Sequence, residues 1–326
     1  MEIMILPCVE EQVLDCVRIS VASYEKIHDV YEALLGEEIH DGVMGAWRQN
    51  KAKTIDQQQR GKNAMVALLD GKVAGFVSYS IINGVGHISN NAVDASFRGQ
   101  GIAGRLYTCA LEAMKKEGVQ YASVLTGLDD GHAAARRAYK KVGFEKNLPY
   151  TTFYQKLEKT GEKPNDFGDF GFEIKPFEKK NLSACEGIAL DAGNQIHDAY
   201  IRHLGQEMHD AVMPKWEQEL VREVGEQLEN HKGFVLCDGE NVIGFISYQI
   251  QDHLGIFGHH AIRTAYRGRG LGERLYRIAL SRMEEDGAKF ARVVVGMDGG
   301  QDAARRVCEK TGFIQGLPSV RYYQKL

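Results

Sequence analysis

Apolar and polar positions follow two rhythms along the chain, and the order in which they alternate predicts its elements. Ile3–Leu6 is a short apolar run, a strand that Pro7 ends. From Glu10 to Lys26 the apolar residues Val13, Cys16, Val17 and Val21 recur at helical spacing. A second helical region follows from Ile27 to about Gln59, broken near Gly36. Ala64–Leu69 and Val73–Ile82 are β-rich runs flanking Asp70-Gly71, a tight hairpin turn. Ile88–Val93 is a third such run and feeds a turn carrying Gly99, Gly101 and Gly104. Helical spacing returns from Ala103 to Glu117, with Leu106, Ala110 and Met114 on one face. Tyr121–Thr126 predicts a strand, His132–Val142 a short helix stopped by Gly143, and Thr151–Leu157 a closing strand. Strand, two helices, three antiparallel strands, helix, strand, helix, strand is an α+β order, a mixed and mostly antiparallel sheet flanked by helices.

The same order then repeats at a constant offset of 169 residues, which carries Arg98 to Arg267 and Trp47 to Trp216. His28-Asp29 answers to His197-Asp198, His40-Asp41 to His209-Asp210, and Gly143-Phe144 to Gly312-Phe313. The closing Tyr154-Gln155-Lys156-Leu157 returns as Tyr323-Gln324-Lys325-Leu326. A period this long is a duplicated domain and not a solenoid. The expected division is a first domain over 1–157, a linker over 158–170 rich in charge, glycine and proline, and a second domain over 171–326. In the second copy the Asp-Gly pair is Asp238-Gly239, one place early by the offset, so that turn is expected to differ.

With 44% hydrophobic and 26% charged residues, each half can bury a core of its own. A net charge of -4 gives no global basic field, so nucleic acid is not an expected partner. No apolar run of roughly 18 residues predicts a membrane span. The opening Met1–Glu11 lacks the basic leader and long apolar core of a signal peptide, and a cytoplasmic protein is expected. The six cysteines form no C-x-x-C pair, which predicts free thiols, and no metal site with zinc spacing is expected.

Chemistry concentrates at the glycine turn. A strand, a glycine turn and a helix start present unpaired N–H groups and a positive dipole end to an anion. Gly99, Gly101 and Gly104 fit the dinucleotide pattern G-x-G-x-x-G, but the second copy breaks it, since Glu273 replaces the third glycine. What both copies keep is R-x-x-G-x-G/A: Arg98, Gly101 and Ala103, then Arg267, Gly270 and Gly272. This pattern, with the element order, resembles the acetyl-coenzyme A loop of the GNAT superfamily of N-acetyltransferases, and the resemblance covers nearly all of both halves.

The resemblance implies a tandem pair of such domains that transfers an acetyl group from acetyl-CoA to a primary amine of a small molecule or peptide, by direct attack. It assigns cofactor holding to Arg98, Gly99, Gln100, Gly101, Ile102, Ala103 and Gly104, and to Arg267, Gly268, Arg269, Gly270, Leu271, Gly272 and Glu273. Strand ends Ala92-Val93 and Ala261-Ile262 would pair with the pantetheine arm, and an N–H of the Val93 strand would meet the oxyanion. Tyr139 stands where the acid for the leaving thiolate is expected, and His87 where the base is expected; the second copy has Cys308 and Ile256 there. His132 and Gln301 occupy the place of a cofactor-contacting asparagine, and His259 and His260 stand where the first copy has Asn90 and Asn91. Asp29, Glu38 and Asp41 sit in the helical region that walls the acceptor, where carboxylates would suit a cationic amine. The first half is therefore expected to be catalytic and the second degenerate, in a monomeric pseudo-dimer or a homodimer. Two alternatives stay open: a degenerate acyl-CoA-binding sensor or scaffold, and an active C-terminal half, an arrangement that resembles mycothiol synthase with no substrate implied.

Overall fold

The computed structural model describes residues 3–158 and 171–326, so nearly all of the expected linker lies outside the described residues. The chain forms β1 (Ile3–Pro7), α1 (Glu10–Leu35), α2 (Glu37–Met44), α3 (Trp47–Gln59), β2 (Ala64–Leu69), β3 (Lys72–Ile82) and β4 (Val85–Val93). There follow α4 (Ile102–Lys116), β5 (Tyr121–Gly127), α5 (Ala133–Lys141) and β6 (Lys146–Lys156). The second half gives β7 (Glu173–Pro176), α6 (Leu182–Leu204), α7 (Gln206–Val212), α8 (Trp216–Asn230), β8 (Lys232–Asp238), β9 (Asn241–Gln251) and β10 (Leu254–Ile262). It ends with α9 (Leu271–Glu285), β11 (Phe290–Gly296), α10 (Asp302–Lys310), β12 (Ile314–Gln315) and β13 (Ser319–Lys325).

Three expected boundaries move, one of them the start of β6, which lies at Lys146 and not at Thr151. Nothing between Glu10 and Leu35 breaks a helix, and α1 runs on past Lys26 to Gly36, whose φ of +79° ends it. Asn83 and Gly84, both at positive φ, make a second hairpin turn, so β4 begins at Val85 and not at Ile88. As expected from the shifted Asp-Gly pair, the two first hairpins differ: Asp70 and Gly71 both take positive φ, whereas only Gly239 does in the second copy.

The chain divides into two compact units, and they do not follow the boundary at 157. The first holds residues 3–149, His203–Val212 and Leu317–Leu326; the second holds the rest of the described residues. In the first unit β1, β2, β3, β4, β5 and β13 lie side by side; only β4 and β5 run parallel. In the second, β7, β8, β9, β10, β11 and β6 do the same. Each sheet is thus completed by the closing strand of the other half of the sequence. Closing strands of like pattern, both ending in Tyr-Gln-Lys, allow this, because either presents the same alternation to either sheet. In the first unit that alternation buries Val320 and Tyr322.

The first sheet is covered on both faces. Ile102, Leu106, Ala110 and Met114 of α4 pack with Val77, Ile88, Val124, Val320 and Tyr322. Cys16 and Ile19 of α1 and Ile55 of α3 pack on Val66, Val73 and Phe76. The feature that positions the site is a splay. β4 pairs with β5 only from Val85↔Tyr121 to Ile88↔Val124, then continues alone on that side to Val93. A bulge between Ile88 and Asn91 starts the divergence. It is pinned from α3 and β3: Asn90 Nδ2 donates to Gln58 Oε1 at 2.9 Å, and Ser78 Oγ lies 3.3 Å from the Asn90 carbonyl. The second unit repeats the bulge at Phe257–His260, pinned by Ser247 and Gln227.

Among the described residues no helix is long and apolar enough to cross a membrane. All six cysteines are free thiols.

Candidate active site

The glycine loop follows directly from the end of β4. Gly99 has φ +80° and Gly101 φ +76°, conformations that only glycine adopts without strain, and Gly101 caps α4 with no side-chain hydrogen bond. The first N–H groups of α4 therefore face outward with a positive dipole end behind them. Ile102 is buried, so only its backbone can meet a ligand, while Arg98, Gly99, Gln100 and Gly101 are exposed. Ala103 and Gly104 lie in the first turn of α4; Gly104 has ordinary helical backbone with open space around it. Arg98 Nε lies 3.4 Å from the Val93 carbonyl, which folds the loop back on the strand end. The partly buried Ala92 and Val93 belong to the part of β4 whose β5-facing edge has no strand partner.

The second loop copies this backbone, with Gly268 at φ +78°, Gly270 at φ +76° and Arg267 Nε 2.9 Å from the Ile262 carbonyl. Leu271 is buried, Gly268 and Arg269 are exposed, and a Cβ on Gly272 would lie 3.4 Å from Val307. It differs in charge. Glu273 places a carboxylate in the first turn of α9, held by Arg277 at 2.9 Å, where it opposes an incoming anion.

Tyr139 reaches back from α5 to the free edge of β4. It is buried, its ring stacks on Tyr107 at 4.7 Å, and its hydroxyl accepts from Asn91 Nδ2 at 2.9 Å. Tyr107 donates to Asn91 Oδ1 at 2.7 Å. Burial pushes the Tyr139 hydroxyl up to about 12, so it keeps its proton at neutral pH. The equivalent cluster in the second unit is Cys308, Tyr276 and His260. His260 Nδ1 donates to the Gly258 carbonyl at 3.1 Å, so its Nε2 accepts from the Tyr276 hydroxyl at 2.8 Å. Burial holds His260 neutral, its pKa pulled down to about 4. His259 lies beside it, 3.3 Å from Glu223.

A cavity of about 720 Å³ fills the splay of the first unit, lined by α1, β4, β5 and β13. His87 and His132 both line it. His87 Nδ1 is 2.7 Å from Ser123 Oγ, and burial together with the nearby Arg321 charge lowers its pKa. His132 is placed differently from its expected cofactor role. Its Nδ1 is 2.6 Å from Asp129 Oδ2, so Nδ1 carries the hydrogen and Nε2 of the neutral ring keeps its lone pair. Arg136 holds this turn by donating to the carbonyls of Gly127 and Asp129, each at 2.6 Å. Gly127 must be glycine, since a Cβ there would collide with the Asp129 carboxylate and the His132 ring.

Asp29, Glu38 and Asp41 are exposed and none lines the cavity, so the carboxylate wall expected for a cationic amine is not there. Asp41 instead lies 3.0 Å from Nδ1 of buried His40, whose Nε2 is 3.2 Å from His28, a ring stacked on Trp47. Sequence reasoning missed Asp129, Asn91 and Arg321. Only Asp129 left a signal, its i, i+3 spacing from His132 at the start of a helix. A cavity of about 780 Å³ in the second unit, lined by residues such as Phe177, Leu228 and Tyr248, includes none of the loop or Cys308-cluster residues.

The sequence profile of the acetyltransferase (GNAT) family matches residues 25–144 and again 198–313. Mycothiol acetyltransferase of Corynebacterium glutamicum is 34% identical over 93 residues, which is 27% of this chain and 30% of that protein. The match therefore spans less than a third of that relative's length. A GCN5-related N-acetyltransferase from Sphaerobacter thermophilus superposes with a TM-score of 0.60 at 15% identity, covering 99% of this chain and 95% of that one. A tandem GNAT protein from the clavulanic acid biosynthesis pathway superposes with a TM-score of 0.50 at 14% identity, covering 99% and 98%. At these identities the superpositions speak to fold: two GNAT domains in tandem, α+β, each with a mixed sheet.

Proposed function

Because the chain belongs to the acetyltransferase (GNAT) family, we propose that its first unit transfers an acetyl group from acetyl-CoA to a primary amine. The residues suit that cofactor: the uncapped N–H groups after Gly101 suit a pyrophosphate, and the free edge of β4 from Ser89 to Val93 suits an amide-bearing arm. Bound there, the cofactor supplies an acyl carbon activated as a thioester.

The chain's own residues then handle protons. A primary amine near pKa 10.4 must lose one before it attacks. Three imidazoles line the cavity; burial pulls His28 down to about 4 and leaves it a poor base, and their surroundings separate His87 from His132. Burial and the nearby Arg321 charge lower the His87 pKa, whereas His132 Nδ1 is held by the Asp129 carboxylate at 2.6 Å. We therefore assign proton uptake to His132 Nε2, with Asp129 fixing its tautomer, and leave His87 as a neutral wall of the cavity. Such a base is worth roughly 10²–10⁴-fold. Tyr139, kept protonated by burial, donates to the leaving thiolate, and Asn91 with Tyr107 aims its hydroxyl.

One observation carries this reading: only the first unit combines an unopposed loop, a buried tyrosine and a carboxylate-paired imidazole in a cavity. The second has Glu273, Cys308 and Gln301 at those places. Incubating the full chain with acetyl-CoA and a panel of primary amines, and following free thiol, tests it. The reading expects turnover that His132→Gln abolishes and Gln301→Ala leaves intact; the opposite pattern places the activity in the second unit.

A further inference from the structure

Two cations, one lining the cavity and one against its wall, take no part in the chemistry above. Arg321, on β13, lines the cavity with Ser123 Oγ 3.4 Å from its Nη1 and His87 nearby. Lys51, on α3, donates to Asn90 Oδ1 at 2.7 Å at the cavity wall and lies 3.5 Å over the Tyr24 ring. Among the described residues neither cation has a carboxylate partner. The one carboxylate in the lining, Asp129, is already balanced by His132.

A half-buried guanidinium without a counterion is an unfavourable arrangement for an empty protein and a good one for binding an anion. The duplication shows that the fold does not demand it. At the offset of 169, Arg321 corresponds to Thr152 and Lys51 to Leu220, so the second copy lacks both cations at these places. Had they served folding, the second sheet would need them as well.

We infer that the acceptor is a primary amine that also carries a carboxylate, which Arg321 holds while Lys51 adds to the positive field. This rests on the amine-acetylation reading and names the class of amine. The planar guanidinium can take both carboxylate oxygens. Fixing the carboxylate at the β13 side leaves the amino end free to turn toward His132 across the cavity.

The test uses the full chain, acetyl-CoA and three pairs of amines matched in length: β-alanine with propylamine, 4-aminobutyrate with butylamine, and 6-aminohexanoate with hexylamine. Initial rates give kcat/KM for each. The expected result is a preference of roughly 10- to 100-fold for the carboxylate member of at least one pair. Arg321→Gln is expected to collapse that ratio toward one through KM, and Arg321→Lys to restore part of it. Circular dichroism and acetyl-CoA binding establish that each variant is folded. Equal use of both members, with a ratio unmoved by Arg321→Gln, overturns this inference and leaves amine acetylation standing. Binding of acetyl-CoA with no turnover of any amine overturns the acetylation reading and this inference together.

Discussion

Replacing Tyr139 by Phe separates a catalytic hydroxyl from a structural one. The ring stays, with its 4.7 Å stack on Tyr107 and its edge contact with Phe144. What is lost is the pair of hydroxyl contacts with Asn91, at 2.9 Å and 3.1 Å. Asn91 is not orphaned, because Oδ1 still accepts from Tyr107 at 2.7 Å and Nδ2 still reaches the Ser89 carbonyl at 3.4 Å. The stability loss should therefore be that of one hydrogen bond, about 1 kcal/mol, or roughly 2–4 °C in melting temperature for a domain of this size. If the hydroxyl protonates the leaving thiolate, kcat falls by roughly 10²-fold or more while the affinity for acetyl-CoA stays within about threefold. Tyr107→Phe is the control: it removes a hydroxyl of similar burial from the same cluster and should lower kcat by less than about tenfold. Stopped assays of thiol release, with a thermal melt of each variant, give both numbers. A Tyr139→Phe enzyme that melts near the parent and keeps kcat within about threefold would refute the acid role.

Three more outcomes follow from the same geometry. Asp129→Asn should lower kcat while acetyl-CoA affinity stays within about threefold, because the His132 ring loses the partner that fixes its tautomer; an unchanged kcat contradicts the pairing. Stability should fall on acidification. Burial, with help from His40, Arg48 and Lys51, pulls His28 down to about 4, and burial does the same to His260. Their folded pKa values lie below the unfolded one near 6.5, so the unfolded chain binds more protons in between. The stability they lend is complete above about pH 6.5 and fades toward pH 4, on the order of 1–2 kcal/mol each between pH 7 and pH 5; a flat melting temperature over that range rules this out. Ending the chain after Gly316 removes β13 with its buried Val320 and Tyr322, and should expose the β4 and β5 amides of the first unit to rapid hydrogen exchange. Retained protection there would mean that β13 is dispensable.

Much of the fold was legible because hydrophobic spacing is local. The helix after the loop, the Asp70-Gly71 hairpin and the duplication all rest on residues close in sequence or on direct repetition. Asn83-Gly84 is an equally local turn signal, and overlooking it shortened β4 by three residues. The strand exchange was not legible, because β6 and β13 carry nearly the same pattern and the sequence is equally consistent with either pairing. The glycine loop could be read from Arg98, Gly99 and Gly101, whose backbone angles the residue types all but dictate. The cavity could not. Arg321 lies 198 positions from Ser123 and arrives through the exchange, and the exposure of Asp29, Glu38 and Asp41 depends on which faces of α1 and α2 turn outward. His132 is legible from its place at the start of α5, whereas the Asp129 contact on which its proposed role rests is seen only in the folded turn.

The central claim is that the first unit's loop holds the cofactor and its cavity does the chemistry. Calorimetric titration of acetyl-CoA into the full chain, its Gly101→Val variant and its Gly270→Val variant tests this most directly. Both glycines sit at φ +76°, where a β-branched residue is strained by about 1–2 kcal/mol or more, so each substitution distorts one loop alone. The account predicts that Gly101→Val abolishes the binding associated with turnover while Gly270→Val leaves both in place. Binding and turnover that survive Gly101→Val and vanish with Gly270→Val would contradict it.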